Sequence, residues 1–150
     1  MPAIGSYEIV GEKAPGLQQA RMPDGQGKVL VRVAGSGALG GLSSSVLVDR
    51  AGTQSKLGQS EFWVPILELS RGPGNAYAVL PEYPDSITRY LGFTSISEGA
   101  VWTIMNRLVS GLNDYREATG RPHGNIKPAN ILLESTRGSW WRTVRLTDPL

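Results

Sequence analysis

The most regular pattern in this 150-residue chain is a long amphipathic run in its second half. Seven apolar residues recur at the three- and four-residue intervals of one helix face, namely Val101, Ile104, Met105, Leu108, Val109, Leu112 and Tyr115. Ser95 and Glu98 are predicted to form a capping box at the start, and Gly120 to form a left-handed cap at the end. The chain is long enough to build a domain core on which this helix packs.

The first half instead has the short β-branched runs and Gly/Pro turns of an antiparallel sheet. Strands are predicted at residues 7–10, 17–21, 29–33, 64–69 and 76–80, and two more follow the helix at 131–133 and 143–146. Residues 34–60 are rich in Gly and Ser and have no clean helical period. The expected fold class is therefore α+β, with a five-stranded antiparallel sheet followed by a long helix and short strands.

The composition argues against several classes of function. With no cysteine, disulfides and thiolate metal sites are excluded, and a single histidine cannot form a zinc site alone. A net charge of +2 gives no dense basic face, so nucleic acid is not expected as a partner. The N-terminus lacks a signal-peptide pattern, and there is no apolar run of about 18 residues. A cytoplasmic location without membrane contact is expected.

A polar motif follows the predicted helix. Residues 123–133 read H-G-N-I-K-P-A-N-I-L-L, and Asp148 lies 18 positions beyond Asn130, at the end of a predicted strand. This spacing resembles the catalytic loop of Ser/Thr protein kinases, H-R-D-L-K-P-x-N-I-L-L, and the strand that leads to their D-F-G motif. In this chain Asn125 replaces the catalytic aspartate, and Pro149 and Leu150 follow Asp148.

The resemblance implies a protein-kinase-like fold with an N-lobe and an incomplete C-lobe. Its implied parts are an N-lobe-like β-rich region at 1–81, a hinge at 82–86 and a partial C-lobe at 87–150. The sequence reaches Leu150 where the activation segment of a kinase is expected to begin. The helix face from Val101 to Tyr115 is therefore expected to be covered by a protein partner or by a missing C-terminal segment.

The resemblance also implies a nucleotide site in the first half of the chain. Gly11 and Gly16 match the first and third glycines of the G-x-G-x-x-G loop, whose backbone lies close to the phosphates, and Lys13 occupies the second position. Glu82 and Tyr83 fall in the hinge, where the backbone of a kinase meets the adenine.

Charged and metal-binding groups are implied in the same way. Arg32 matches the phosphate-binding lysine, whose charge it keeps with a different shape, and Asp49 is the nearest acidic candidate for its partner. Asn130 and Asp148 match the ligands of Mg²⁺, an ion that prefers hard oxygen donors, and Lys127 matches the lysine that offsets charge on the transferred phosphoryl group. ATP and Mg²⁺ are the implied cofactors, with binding weak or lost.

Asn125 determines how much catalysis is expected. An amide can orient a hydroxyl group but has no useful basicity near neutral pH, and loss of a positioned base lowers the rate by about 10²–10⁴. The predicted function is therefore that of a pseudokinase, a nucleotide-binding or protein-interaction module with weak or no phosphotransfer. Three alternatives stay open: a truncated active Ser/Thr kinase, a small-molecule phosphotransferase, which Lys127-Pro128 disfavours, and a purely structural interaction protein.

Overall fold

The computed structural model describes residues 3–35, 42–72, 75–91 and 95–149. The chain divides into two compact units. The first unit consists of Met1–Gly52 and Ile66–Glu82, and the second unit consists of Thr53–Pro65 and Tyr83–Leu150. The predicted α+β class is confirmed, since antiparallel strands dominate the first unit and a long helix the second.

The first unit contains a six-stranded sheet in the order β1-β2-β3-β4-β6-β5, and every pair is antiparallel. Its strands are β1 Ala3–Ile4, β2 Tyr7–Ala14, β3 Leu17–Arg21, β4 Lys28–Val33, β5 Glu68–Ser70 and β6 Tyr77–Pro81. The predicted antiparallel sheet is thus present, with the short β1 as an additional strand.

One predicted strand is mostly wrong, because residues 64–67 lie outside β5. Val64 donates its N–H to the carbonyl of Leu146 at 2.9 Å. Both residues belong to the second unit. Pro65 has no N–H to give to a sheet. The first two residues of the apolar run at 64–69 therefore belong to the second unit and the other four to the first, so the run does not form one strand.

Two tyrosines and a carboxylate lie together in the first unit. The hydroxyls of Tyr7 and Tyr77 donate to the two oxygens of Glu68, at 2.7 and 2.8 Å. Three strands separate β2 from β5 in the sheet order, so the sheet must curl for Tyr7 to reach Glu68. The interior of this curled sheet is filled by Tyr7, Ile9, Ala20, Val29, Val31 and Val79.

A helix, α1, spans Ser44–Ser55 in a stretch where the sequence shows no helical period. Its Leu47 and Ala51 are buried against Ala76 and Ala78. The sequence shows little sign of this helix because its apolar stripe is short, and because its serine, threonine and glycine residues are weak helix formers. Tertiary packing therefore decides the structure here.

The second unit combines the long helix α2, Glu98–Thr119, with a three-stranded antiparallel sheet in the order β7-β8-β9. The strands are β7 Asp85–Ser86, β8 Ile131–Leu133 and β9 Val144–Leu146, so both strands predicted after the helix are present. The buried core of the unit consists of Leu57, Trp63, Ile87, Ile104, Tyr115, Ile131, Leu133, Trp140, Val144 and Leu146.

The two ends of α2 test the predicted caps. The N-cap is Ser97, whose side chain accepts the N–H of Ala100 at 3.1 Å, so the capping box predicted from Ser95 is wrong. The serine adjacent to the first helical residue is the one that can reach the unsatisfied N–H groups. Gly120 ends the helix with a φ of 70°, as predicted.

The predicted apolar face of α2 is only partly buried. Ile104 and Tyr115 face the core, whereas Val101, Met105 and Val109 are 45%, 50% and 50% exposed. The seven apolar positions cover too wide an arc for one packing surface, and the core takes only one side of it. No helix in the part of the chain that the structure describes is long and apolar enough to cross a membrane.

Candidate functional site

His123 anchors the polar loop that follows α2. Its buried ring has Nε2 2.9 Å from the carbonyl oxygen of Thr147, and its Nδ1 accepts the N–H of Asn125 at 3.0 Å. A carbonyl can only accept, so the proton is on Nε2 and the ring is neutral. Burial lowers the pKa of His123 and favours the same neutral form.

Asn125 lies at the position predicted for the catalytic base. Its side-chain Nδ2 donates to the backbone carbonyl of Asp148 at 3.0 Å. Its backbone carbonyl accepts from Nδ2 of Asn130 at 2.9 Å. The structure therefore brings Asn125, Asn130 and Asp148 into one hydrogen-bonded group. The amide of Asn125 acts in this group as a donor.

Asn130 and Asp148 are the two residues predicted to bind Mg²⁺. Asn130 is buried at the end of the 3-10 turn Pro128–Asn130, and its carbonyl accepts the N–H of Thr147 at 3.1 Å. Since its side-chain nitrogen is bonded to Asn125, the amide oxygen is the atom that can bind a cation. Among the described residues there is no cluster of three or more His, Cys, Asp or Glu side chains suited to a metal. An amide oxygen with one carboxylate fits Mg²⁺, which usually keeps several waters.

Gln54 is part of the same group, although nothing in the sequence pointed to it. Its side chain is buried in the last turn of α1, where Nε2 donates to Val64 O at 2.8 Å and lies 3.3 Å from Thr147 Oγ1. Its Oε1 accepts the N–H of Asp148 at 3.1 Å. Sequence reasoning missed it because the helix that carries it was not predicted.

Lys127, the remaining predicted residue of this loop, has an exposed side chain. Its carbonyl accepts the N–H of Asn130 at 2.9 Å and starts the 3-10 turn. The structure thus places the ammonium group on the same short loop as Asn125, in contact with solvent.

The two glycines predicted to contact phosphates lie on the hairpin of β2 and β3. Gly16 is in its turn with a φ of 75°, and its carbonyl accepts the N–H of Val33 at 2.9 Å. Gly11 lies across from Gln19, whose Oε1 would be 3.3 Å from a Cβ at that position. The local backbone structure therefore favours glycine at both positions, and contact of these glycines with a nucleotide stays a prediction.

Arg32 is half-buried on β4, paired with Leu17 on one side and Ala78 on the other. Directly paired residues project from the same face of a sheet, so Arg32 shares the face on which Ala78 packs against α1. Asp49, the acidic candidate named from the sequence, is exposed on α1.

Glu82 and Tyr83 fall in different units. In the first unit, Gln19 donates from Nε2 to Oε1 of Glu82 at 2.8 Å. A cavity of about 190 Å³ beside this contact is lined by Val10, Gln19, Ala20, Arg21, Lys28 and Glu82. In the second unit, burial raises the pKa of Tyr83.

No protein-family model matches the chain, and no curated protein matches it in sequence. Among solved structures, the chain is similar to the Cydia pomonella granulovirus kinase PK-1, with a TM-score of 0.73 at 13% sequence identity. The alignment covers 95% of this chain. The fold is protein-kinase-like.

Each of the two units corresponds to one part of the kinase-like fold. The six-stranded sheet with α1 matches an N-lobe, and α2 with the strands that follow it matches part of a C-lobe. The chain spans about half of the length of the viral kinase, since the alignment covers 50% of that chain. At this level of identity the comparison establishes the fold, and the roles of individual residues depend on the geometry above.

Proposed function

We propose that this chain is a pseudokinase-type domain that binds a Mg²⁺-nucleotide weakly and transfers its phosphoryl group slowly or not at all. Asn130 and Asp148 would hold the ion, Lys127 and Arg32 would offset phosphate charge, and the Gly11–Gly16 hairpin and Glu82-Tyr83 would contact the nucleotide. When bound, the ion neutralises charge on the phosphates.

The side chain of Asn125 carries this proposal. A catalytic base must present a lone pair of suitable basicity to the acceptor hydroxyl. The nitrogen of Asn125 points its hydrogen at the carbonyl of Asp148 instead, and the amide oxygen is not basic near neutral pH. The groups proposed to hold the ion are therefore kept, and the group that would remove the proton is absent.

Titration calorimetry with Mg²⁺-ATP is the direct test of binding. Weak binding to the wild-type chain, lost in Asp148→Ala and kept in Glu117→Gln, is the expected result. Glu117 is a matched control because it is an exposed carboxylate on α2. Wild-type protein that releases no heat with Mg²⁺-ATP and melts at the same temperature with and without it would contradict nucleotide binding and favour an interaction module.

A peptide-phosphorylation assay tests the alternative, an active Ser/Thr protein kinase. Under the proposal, phosphate transfer stays at background level for the wild type. Transfer by the wild type that is abolished by Asp148→Ala and increased by Asn125→Asp would favour the active kinase, because the proposal expects no transfer above background from the wild type.

We also propose that another polypeptide segment, from a partner or from the same protein, covers the outer side of α2. Val101, Trp102, Met105 and Val109 form an exposed apolar stripe there, and Trp102 is 62% exposed. Large exposed apolar stripes usually mark interaction surfaces. In the isolated chain the stripe is uncovered, so we expect the wild type to self-associate at high concentration and Trp102→Gln with Met105→Gln to reduce this in sedimentation experiments. A wild-type chain that stays monomeric at high concentration would show that the stripe needs no cover.

A further inference from the structure

Asp148 has an unusual backbone conformation. Its φ of 53° places it in the left-handed region, and it is the one non-glycine residue with positive φ among the residues described. Aspartate tolerates this region better than most residues, but the conformation still has to be held by its surroundings. The hydrogen bonds of Asp148 explain how it is held.

Two side-chain amides bind the main chain of Asp148 from both sides. Oε1 of Gln54 accepts its N–H at 3.1 Å, and Nδ2 of Asn125 donates to its carbonyl at 3.0 Å. Both polar groups of the backbone of one residue are therefore bound by side chains, whereas regular secondary structure would use backbone partners.

Each amide is itself fixed in place. Gln54 is 2% exposed, and its nitrogen is bonded to the carbonyl of Val64, which fixes which end of the amide faces Asp148. Asn125 is fixed through its backbone, whose N–H binds His123 and whose carbonyl binds Asn130. The amide of Gln54 therefore cannot turn over without breaking a second hydrogen bond, and the backbone of Asn125 is held at both of its polar groups.

We infer that Gln54 and Asn125 are positioning residues, a pair of amides that holds Asp148 in its left-handed conformation and so orients its carboxylate. We call these two side chains the amide clamp. The inference rests on the proposed function for the ion that the carboxylate would bind. The clamp itself consists of hydrogen bonds within the chain and does not require the ion.

The clamp gives Asn125 a role that an aspartate could not fill. An ionised carboxylate only accepts hydrogen bonds, so Asn125→Asp would place a charged oxygen against the carbonyl oxygen of Asp148. Restoring the residue that kinases have at this position would therefore disturb the conformation of Asp148.

Hydrogen exchange followed by NMR tests the clamp without any ligand. Asn125→Asp and Gln54→Leu are expected to accelerate exchange of the Asp148 amide by about tenfold or more, with little change at amides in the middle of α2. Asn106→Asp is the matched control, because it makes the same chemical change at an exposed position of α2. Unchanged exchange at Asp148 in both clamp variants would overturn the inference.

Titration with Mn²⁺, a paramagnetic substitute for Mg²⁺, tests the positioning role, with free ion measured by electron paramagnetic resonance. Added negative charge alone would tighten the binding of a cation. The clamp predicts the opposite sign for Asn125→Asp, a dissociation constant about tenfold higher, because the neighbouring carboxylate is no longer oriented. Equal or tighter binding than in the wild type would overturn the positioning role.

The two arms separate this inference from the proposed function. If the wild type binds no Mn²⁺, the proposed ion site fails and the positioning role fails with it, while the exchange result still decides whether the clamp holds Asp148. If the wild type binds the ion but Asn125→Asp changes neither the exchange nor the affinity, the clamp fails and the ion site stands.

Discussion

The indole ring of Trp63 stacks on the imidazole of His123, with ring centroids 5.4 Å apart and planes inclined by 26°. Trp63 is completely buried and is itself held by a hydrogen bond from Nε1 to the carbonyl of Gly111 at 2.8 Å. The indole thus shields the histidine that anchors the candidate loop from water.

Removing this shield is expected to change the pKa of His123. Trp63→Leu should move it upward, towards the ordinary value of 6.5, because water reaches the ring. It should also lower the free energy of unfolding by about 2–4 kcal/mol. The chain has one histidine, so an NMR titration gives an unambiguous signal. Trp102→Leu, at an exposed position, should leave the pKa of His123 unchanged, and equal titration curves for the wild type and Trp63→Leu would contradict the shielding.

Close packing at Gly111 leaves no room for a side chain. A Cβ there would lie 2.9 Å from Cδ1 of Leu146 and 3.1 Å from Cβ of Phe62. Gly111→Ala is therefore expected to destabilise the protein by about 1–3 kcal/mol in urea unfolding, despite the better helix propensity of alanine. Gly99→Ala in the same helix meets no atom within 4 Å and should be neutral or slightly stabilising. Equal effects of the two changes would be inconsistent with this packing.

The N-cap of α2 offers a test with two neighbouring serines. Ser97→Ala removes the acceptor for the N–H of Ala100 and should lower the stability by about 1 kcal/mol. Ser95→Ala should have almost no effect, because Ser95 is exposed and lies outside the helix. Thermal unfolding of both variants distinguishes the observed cap from the capping box that the sequence suggested.

Stability at alkaline pH should depend on the Tyr7–Glu68–Tyr77 group. Burial and the hydrogen bond to Glu68 raise the pKa of Tyr7 from 10.0 to about 12 in the folded state, and the pKa of Tyr77 is also raised, mainly by its bond to Glu68. The folded state thus holds these protons more tightly than the unfolded state does. The stabilisation is complete below about pH 10 and is lost as the pH rises towards about 12.

Urea unfolding across this alkaline range measures the effect. Tyr7→Phe should be less stable than the wild type near neutral pH, because it loses the bond to Glu68, and its stability should fall less steeply above about pH 10. The same steep decline in the variant would show that the pKa of Tyr7 is not raised in the folded state.

The sequence predicted the parts of this fold that follow local rules. Gly120 ends α2 as expected, because a glycine beyond an amphipathic run readily adopts the left-handed conformation. Four strands of the first unit, β2, β3, β4 and β6, followed from short apolar runs between turn residues. In both cases the residues that determine the structure are close together in the sequence.

The misses share a different physical origin. Helix α1 depends on contacts of Leu47 with distant alanines. Gln54 joins the candidate site through hydrogen bonds to Thr147 and Asp148, which lie more than 90 positions away. The spacing of the catalytic-loop motif placed Asn125, Asn130 and Asp148 in one predicted site, and the structure joins them by hydrogen bonds. Which atom of Asn125 faces Asp148 could not be read from spacing, because it depends on the conformation of both backbones.

The interleaved order of the two units has a consequence for dissecting the protein. Residues 53–65 lie between the two segments of the first unit, yet they belong to the second. A fragment ending at Glu82 would therefore contain Trp63 without Tyr115 and Leu146, two residues that cover it in the second unit. The sheet cannot be expressed as one continuous piece without leaving a core tryptophan exposed, so deletion studies need to replace residues 53–65 with a polar linker.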